Sequence, residues 1–218
     1  MHSGKDYNLK EVAIKIGLIL SLPAVLSIIS LTILKAWGDT NVDDSFVFII
    51  FQVISYATFL SLNKRFRCFI NGMLNLKVNK KRTVIYVIAG LVLFSISSIF
   101  LLGFGIGSDE SQRENLNLDQ LSQAVNLQNI IMTLAIIIII PFYEELLFRG
   151  LLFTTIYNRY GSAWSIIISS LIFGFLHSDL FVLTTIYGFV FNYIFLKTKS
   201  LIPSIILHMI WNTLVVLL

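Results

Sequence analysis

An all-α fold, a polytopic membrane bundle of about seven transmembrane helices, is what this sequence predicts. Hydrophobic residues make up 56% of the 218 residues and charged residues only 13%, where a soluble domain carries about 25% charged. The mean hydropathy is +0.85. The apolar residues also come in long blocks, and about 20 of them at ~1.5 Å rise cross a ~30 Å hydrocarbon core. No polar stretch is long enough to be a separate soluble domain, so residues 1–218 are expected to form one integral membrane domain.

The expected helices are 12–36, 45–62, 83–107, 129–158, 162–177, 180–196 and 201–218. The first has an apolar core too long for a cleavable leader, and no small-residue cleavage pattern follows it. The second lies between Asp43-Asp44 and the basic stretch that starts at Asn63-Lys64-Arg65. The third follows Lys80-Lys81-Arg82. These three are expected to be accessory, with the functional core in 129–218. The fourth and fifth form a hairpin turning near Arg159-Tyr160, and Lys197 and Lys199 close the sixth. The loop Ser108–Gln128 has room for a short amphipathic segment near Leu116, Leu118 and Leu121.

Charge supports seven crossings. Lys5, Lys10 and Lys15 precede or open the first helix, and Lys64, Arg65, Arg67, Lys77, Lys80, Lys81 and Arg82 fill the next inner loop with no acid. Arg159, Lys197 and Lys199 fall on the same side if the helices alternate. The other side carries Asp39, Asp43, Asp44, Asp109, Glu110, Glu114 and Asp119 against Lys35 and Arg113. The positive-inside rule then puts the N-terminus in the cytoplasm. The richness in Ile, Lys and Asn suits an AT-rich bacterial genome, so a bacterial cytoplasmic membrane is expected. The net charge of +4 is a topology signal and not a nucleic-acid one. The basic loop 63–82 reads as a topology determinant before it reads as a docking surface for anionic lipid or an acidic peptide. A lone Cys68 allows neither an internal disulfide nor a cysteine metal cluster, and His2 reads as a solvated terminal residue. Nothing in the sequence sets an oligomeric state.

Three polar sets interrupt the apolar helices. Glu144, Glu145 and Arg149 follow the run Ile136–Ile140. Glu145 and Arg149 are i,i+4 and can neutralise one another, which leaves Glu144 without a partner in its own helix. Phe173 and His177 are also i,i+4, with Gly174 removing bulk between them, and so are His208 and Asn212. An ionised group in mid-membrane costs roughly 2.5–3.5 kcal/mol even on lenient scales. Each residue alone reads as a packing device, but Glu, His, His and Asn on three helices at compatible depth do not. Glu144 and His177 both come out about 22–26 Å from the hairpin turn, with His208 and Asn212 about 12–20 Å deep. One cavity reachable from the cytoplasm would gather them.

Such a set can hydrolyse a peptide bond. Glu144 would take a proton from water and return it to the leaving amine. His208 and Asn212 would donate to the oxyanion, while His177 positions the water or shares the proton. Glu144, His177 and His208 could equally hold zinc. The residues leave both open; with two imidazoles and an amide suited to donor roles, no cofactor is the expectation.

Glu144-Glu145-Leu146-Leu147-Phe148-Arg149 resembles the E-E-x-x-x-R motif of the CAAX protease and bacteriocin-processing (CPBP) family of intramembrane endopeptidases. Phe173 to His177 is similar to its F-x-x-x-H motif, and His208 to Asn212 to its H-x-x-x-N motif. The resemblance covers about 130–218 and includes the type II CAAX prenyl endopeptidases. It implies a membrane protease with a cytoplasm-facing cavity, acting on a membrane-associated peptide or lipidated protein. Glu144 would be the base, His177 its partner, His208 and Asn212 the oxyanion site, and Glu145 and Arg149 its support. Bacterial relatives imply bacteriocin self-immunity or peptide-signal processing. Because only six residues follow Asn212, an eighth helix of longer relatives is expected to be absent. Two other readings remain at this point: a non-catalytic immunity or regulatory protein that binds a partner, and a small transporter with a carboxylate relay.

Overall fold

In a computed structural model of the chain, the described residues are 7–37, 43–75, 78–106 and 126–217, and no strand occurs among them. The helices are α1 Leu9–Ala36, α2 Asp44–Leu62, α3 Lys64–Asn71 and α4 Lys80–Gly103. Then follow α5 Leu127–Leu134, a π-helical segment Ala135–Ile139, α6 Ile140–Glu145, a second π segment Leu146–Phe153, and α7 Thr154–Phe175. A 3₁₀ turn, Ser178–Leu180, leads to α8 Phe181–Thr198 and α9 Ile202–Leu217. The all-α fold is as the sequence predicts. The segment near Leu116, Leu118 and Leu121 lies outside the described residues, as do His2, Lys5, Asp39, Lys77, Asp109, Glu110, Arg113, Glu114 and Asp119.

Local signals start the helices. The Asn8 side chain accepts from the Glu11 amide at 2.8 Å while Glu11 accepts from the Asn8 amide, a capping box that satisfies two orphan donors of α1. Asp43 accepts from the Ser45 and Phe46 amides to open α2, and Asn79 from Arg82 to open α4. α3 falls inside the expected basic loop 63–82. Its cap is Asn63, and Phe66 and Ile70, one turn apart, bury the face opposite Lys64 and Arg67. The density of basic residues conceals this short amphipathic helix in the sequence.

The run Leu127–Phe175 is two helical arms that meet at a kink. Gly161 adopts φ 80° and ψ −175°, a conformation that side chains with a Cβ disfavour. Phe148 and Phe173, on either side of it, meet edge to face at 5.1 Å, so the chain doubles back there. This is the expected hairpin. Counting its two arms separately gives seven apolar helices among the described residues. Among these residues five helical runs are long and apolar enough to cross a bilayer, and α9 is a shorter apolar helix.

α1, α2 and α4 bury only 17–22% of their apolar windows, against 39% for the hairpin and 50% for α8. The first three are therefore outer helices. Ile14, Leu18, Val25 and Ile28 of α1, and Val84, Ile88, Ile96 and Ile99 of α4, point outward. Apolar surface this continuous far exceeds what a water-soluble monomer exposes. The protein is an integral membrane protein.

The inner helices approach closely through small residues. A Cβ on Gly174 would lie 2.0 Å from Thr185 Oγ1 and 2.8 Å from the Phe181 carbonyl; one on Gly188 would lie 2.9 Å from Ser170 Cα. This seam joins α7 to α8. The basic ends meet on one side: Arg65 pairs with Glu11 at 3.3 Å, and the Leu201 amide donates to the Met73 carbonyl at 2.8 Å. The Ser200 hydroxyl donates to the Asn75 carbonyl. The loop after α3 thus braces the α8–α9 turn.

Candidate active site

Both π segments flank the six residues that carry Glu144 and Glu145. Such bulges commonly accompany functional sites, and the first has a cause in the sequence. The Ile140 amide bonds the Ala135 carbonyl, an i to i+5 step. In that register the Ile136 carbonyl would accept from residue 141, but Pro141 has no N–H. Asn212 supplies the missing donor: its Nδ2 lies 3.0 Å from the Ile136 carbonyl oxygen. One polar side chain of α9 therefore fastens α9 to the helix that presents the two glutamates.

Four turns of chain then converge below this clasp. Glu145 and Arg149 are fully buried, with Glu145 Oε1 2.9 Å from Arg149 Nη1. The guanidinium lies 4.5 Å from the Phe173 ring centre and 4.6 Å from that of Phe191. Among the described residues Nε and Nη2 of Arg149 have no hydrogen-bond acceptor. One carboxylate and two aromatic faces hold this cation, so the π-electrons stand where water would.

His208 completes the chain of charges. Its Nδ1 lies 3.1 Å from Glu145 Oε1 and its Nε2 lies 3.6 Å from Glu144 Oε2. The first distance is a hydrogen bond, in which Nδ1–H donates to the carboxylate; the second is too long for one and is an electrostatic contact. The imidazole is fixed between Phe191, at 4.8 Å, and Phe173, at 6.2 Å. Phe191 is itself backed by Phe94 of α4, which also meets Tyr187 and Trp211. Glu144 is the wettest member, with 15% of its side chain exposed against 7% for His208 and none for Glu145. Tyr143, its neighbour, stacks on Tyr56 of α2 at 4.8 Å, and Tyr56 accepts a hydrogen bond from Gln52.

His177 sits just past the end of α7. Its Nδ1 lies 2.8 Å from the Phe173 carbonyl, which can only accept, so the proton is on Nδ1 and Nε2 is the free nitrogen. Its ring rests 4.7 Å from Phe173.

The structure thus gathers Glu144, Glu145, Arg149, Phe173 and His208 into one contact network. His177 joins it through Phe173. Asn212 points its amide at the Ile136 carbonyl. The nearest imidazole contact to Glu144 is His208, not His177 across the hairpin, and Glu145 serves His208 as well as Arg149. Among the described residues no three His, Cys, Asp or Glu side chains gather as a metal ion needs. Sequence reasoning missed Phe191, Tyr56 and Pro141. Only Pro141 carried a signal, being a proline inside an apolar helix.

A family model described as "Type II CAAX prenyl endopeptidase Rce1-like" matches residues 126–214. Residues 126–214 are thus similar to the type II CAAX prenyl endopeptidases, in line with the resemblance that the three motifs carry. The "Putative membrane peptidase YdiL" of Bacillus subtilis (strain 168) is similar to this chain, at 36% identity over 143 residues. That match covers 62% of this chain and 56% of the relative, so it spans little more than half of the relative's length. No solved structure matches. Every residue of the network except Phe94 and Tyr56 with its partner Gln52 lies in the matched segment, and the outer helices α1, α2 and α4 lie before it.

Proposed function

We propose that the protein is an intramembrane endopeptidase that cleaves a membrane-associated peptide or a lipidated protein. The observation that carries this reading is the position of Glu144 at the wet edge of a buried Glu145–Arg149–His208 network. Buried neighbours fix geometry, and Glu144 is the member of the ion chain that keeps the most side-chain surface accessible. Water attacks the scissile carbonyl carbon while Glu144 takes its proton. The C–N bond then breaks, and Glu144 returns that proton to the leaving amine, giving an acid and an amine. His208 Nε2 is the nearest imidazole nitrogen to the Glu144 carboxylate and would order the water or the oxyanion. Asn212 keeps one amide N–H beyond the one given to Ile136, for the same oxyanion. His177 Nε2 is free to share the proton.

The mechanism is proposed to be free of metal, with two imidazoles and an amide in donor roles. The N-terminus is proposed to face the cytoplasm, with the chain in a bacterial cytoplasmic membrane, because the basic ends gather on one side. The biological role proposed is bacteriocin self-immunity or the processing of a signalling peptide. Purified protein in proteoliposomes tests the reading, with membrane-anchored peptides as substrates. Cleavage should fall at least ~100-fold in His177→Ala, in keeping with the weight of general acid–base groups, and persist in 1,10-phenanthroline. Chelator-sensitive cleavage restored by zinc would contradict it.

A further inference from the structure

Away from the site, at the basic end, a cleft of about 460 Å³ opens between α1 and the α2–α3 junction. Lys15, Lys64 and Arg65 form its polar rim, and Leu18, Ile19 and Leu62 its apolar floor. Arg65 is shared with Glu11 at 3.3 Å and lies 4.2 Å from the Tyr7 ring centre. The two lysines differ. Among the described residues neither has a carboxylate within ion-pair distance. Lys15 is half-buried, about 9 Å along α1 from its first residue, with its ammonium 5.5 Å from the Phe59 ring and 5.7 Å from Tyr7. A cation that far into an apolar helix stands at the depth where headgroup meets acyl chain.

Below it the floor is strongly exposed: Leu18 is 61% and Leu62 81% accessible. A soluble anion would satisfy the rim and leave this floor bare. A neutral lipid would cover the floor and leave two uncompensated ammonium groups at the rim. We infer that the cleft binds one anionic phospholipid, its phosphate between Lys15 and Lys64 and an acyl chain along Leu18 and Leu62. The occupant joins α1 to the start of α3. Ile70, at the other end of α3, packs 3.4 Å from where a Cβ of Gly150 would lie, next to Arg149. The lipid thereby braces the helix that supports the hairpin.

Native mass spectrometry of the full chain tests this, with palmitoyl-oleoyl phosphatidylglycerol or phosphatidylcholine added in equal amount. The chain should retain phosphatidylglycerol several-fold better than phosphatidylcholine. Lys15→Gln with Lys64→Gln should erase that preference, whereas Lys15→Arg with Lys64→Arg should keep it and so control for folding. Lys80→Gln with Lys81→Gln, at the same membrane face, should also keep it. An undiminished preference in the Lys15→Gln, Lys64→Gln protein overturns the proposal. An equal loss in the Lys80→Gln, Lys81→Gln protein overturns it as well, because attraction to the basic face would then be diffuse. Displacement of the lipid by inorganic phosphate overturns the lipid assignment.

Discussion

His208 donates from Nδ1 to Glu145 Oε1 at 3.1 Å, and this bond turns the imidazole so that Nε2 faces Glu144. Glu145 is thus an orienting group: it holds a tautomer and a ring plane, and it is itself held by Arg149. Replacing Glu145 by Gln keeps the shape but removes the charge opposite the guanidinium. Glu145→Gln is predicted to lower thermal stability and cleavage together, while His208→Gln lowers cleavage with a smaller change in melting temperature. Circular dichroism melts alongside turnover check this, and a Glu145→Gln protein that cleaves at the unaltered rate would speak against the orienting role.

Arg149 is predicted to be the costliest of the polar residues to remove. Truncating one partner of a fully buried ion pair costs about 3–5 kcal/mol, because the other charge is left uncompensated. Arg149→Lys should rescue little. A compact ammonium cannot present a planar face to both Phe173 and Phe191 while reaching Glu145. Unfolding of detergent-solubilised protein measures this, and wild-type stability in Arg149→Lys would refute the aromatic clamp.

The clasp between Asn212 and Ile136 makes a prediction about a pair. Asn212→Leu leaves a buried carbonyl without its donor, which costs roughly 1–3 kcal/mol. Pro141→Ala restores an N–H to the helix that can serve that carbonyl. The cost of Asn212→Leu is therefore predicted to shrink in the Pro141→Ala background, a coupling that a double-mutant cycle reads directly. Simple additivity of the two changes would show that the carbonyl is not the link.

Close packing at the α7–α8 seam gives a further test. Gly174→Ala would put a methyl group 2.8 Å from the Phe181 carbonyl oxygen and closer still to Thr185 Oγ1. Overpacking of this kind costs about 1–3 kcal/mol. Since Phe173 and His177 flank this residue, the helix can yield only by moving them. Gly174→Ala is predicted to lose cleavage beyond what its melting temperature explains, and Thr185→Ala should restore part of it.

Much of this architecture is legible in the sequence because it follows from one-dimensional rules. Apolar run length fixes the crossings, and Gly161 next to Arg159-Tyr160 marks the hairpin. The i,i+4 spacing of Glu145 with Arg149 predicts their pairing, which the structure bears out. What stayed hidden depends on neighbours distant in the chain. Phe191 shows no more than apolarity in the sequence, yet it lies against both Arg149 and His208. The donor that serves the Ile136 carbonyl in the first π segment depends on where Asn212 arrives from α9. α3 stayed hidden because Phe66 and Ile70 are outnumbered by the basic residues around them. Which imidazole reaches Glu144 depended on helix rotation, and depth arithmetic from the turns does not resolve rotation.

Glu144→Gln in proteoliposomes tests the central claim most directly. Amide replaces carboxylate at nearly constant volume, so the fold and the 3.1 Å bond between His208 and Glu145 should survive. Membrane-anchored peptides, a prenylated one included, would be offered in water enriched in oxygen-18, with products read by mass spectrometry. The account predicts label in the new carboxylate with the unaltered protein, and a loss of at least ~100-fold in Glu144→Gln, the scale of a general base, at an unchanged melting temperature. Cleavage at the unaltered rate by a well-folded Glu144→Gln protein would contradict it.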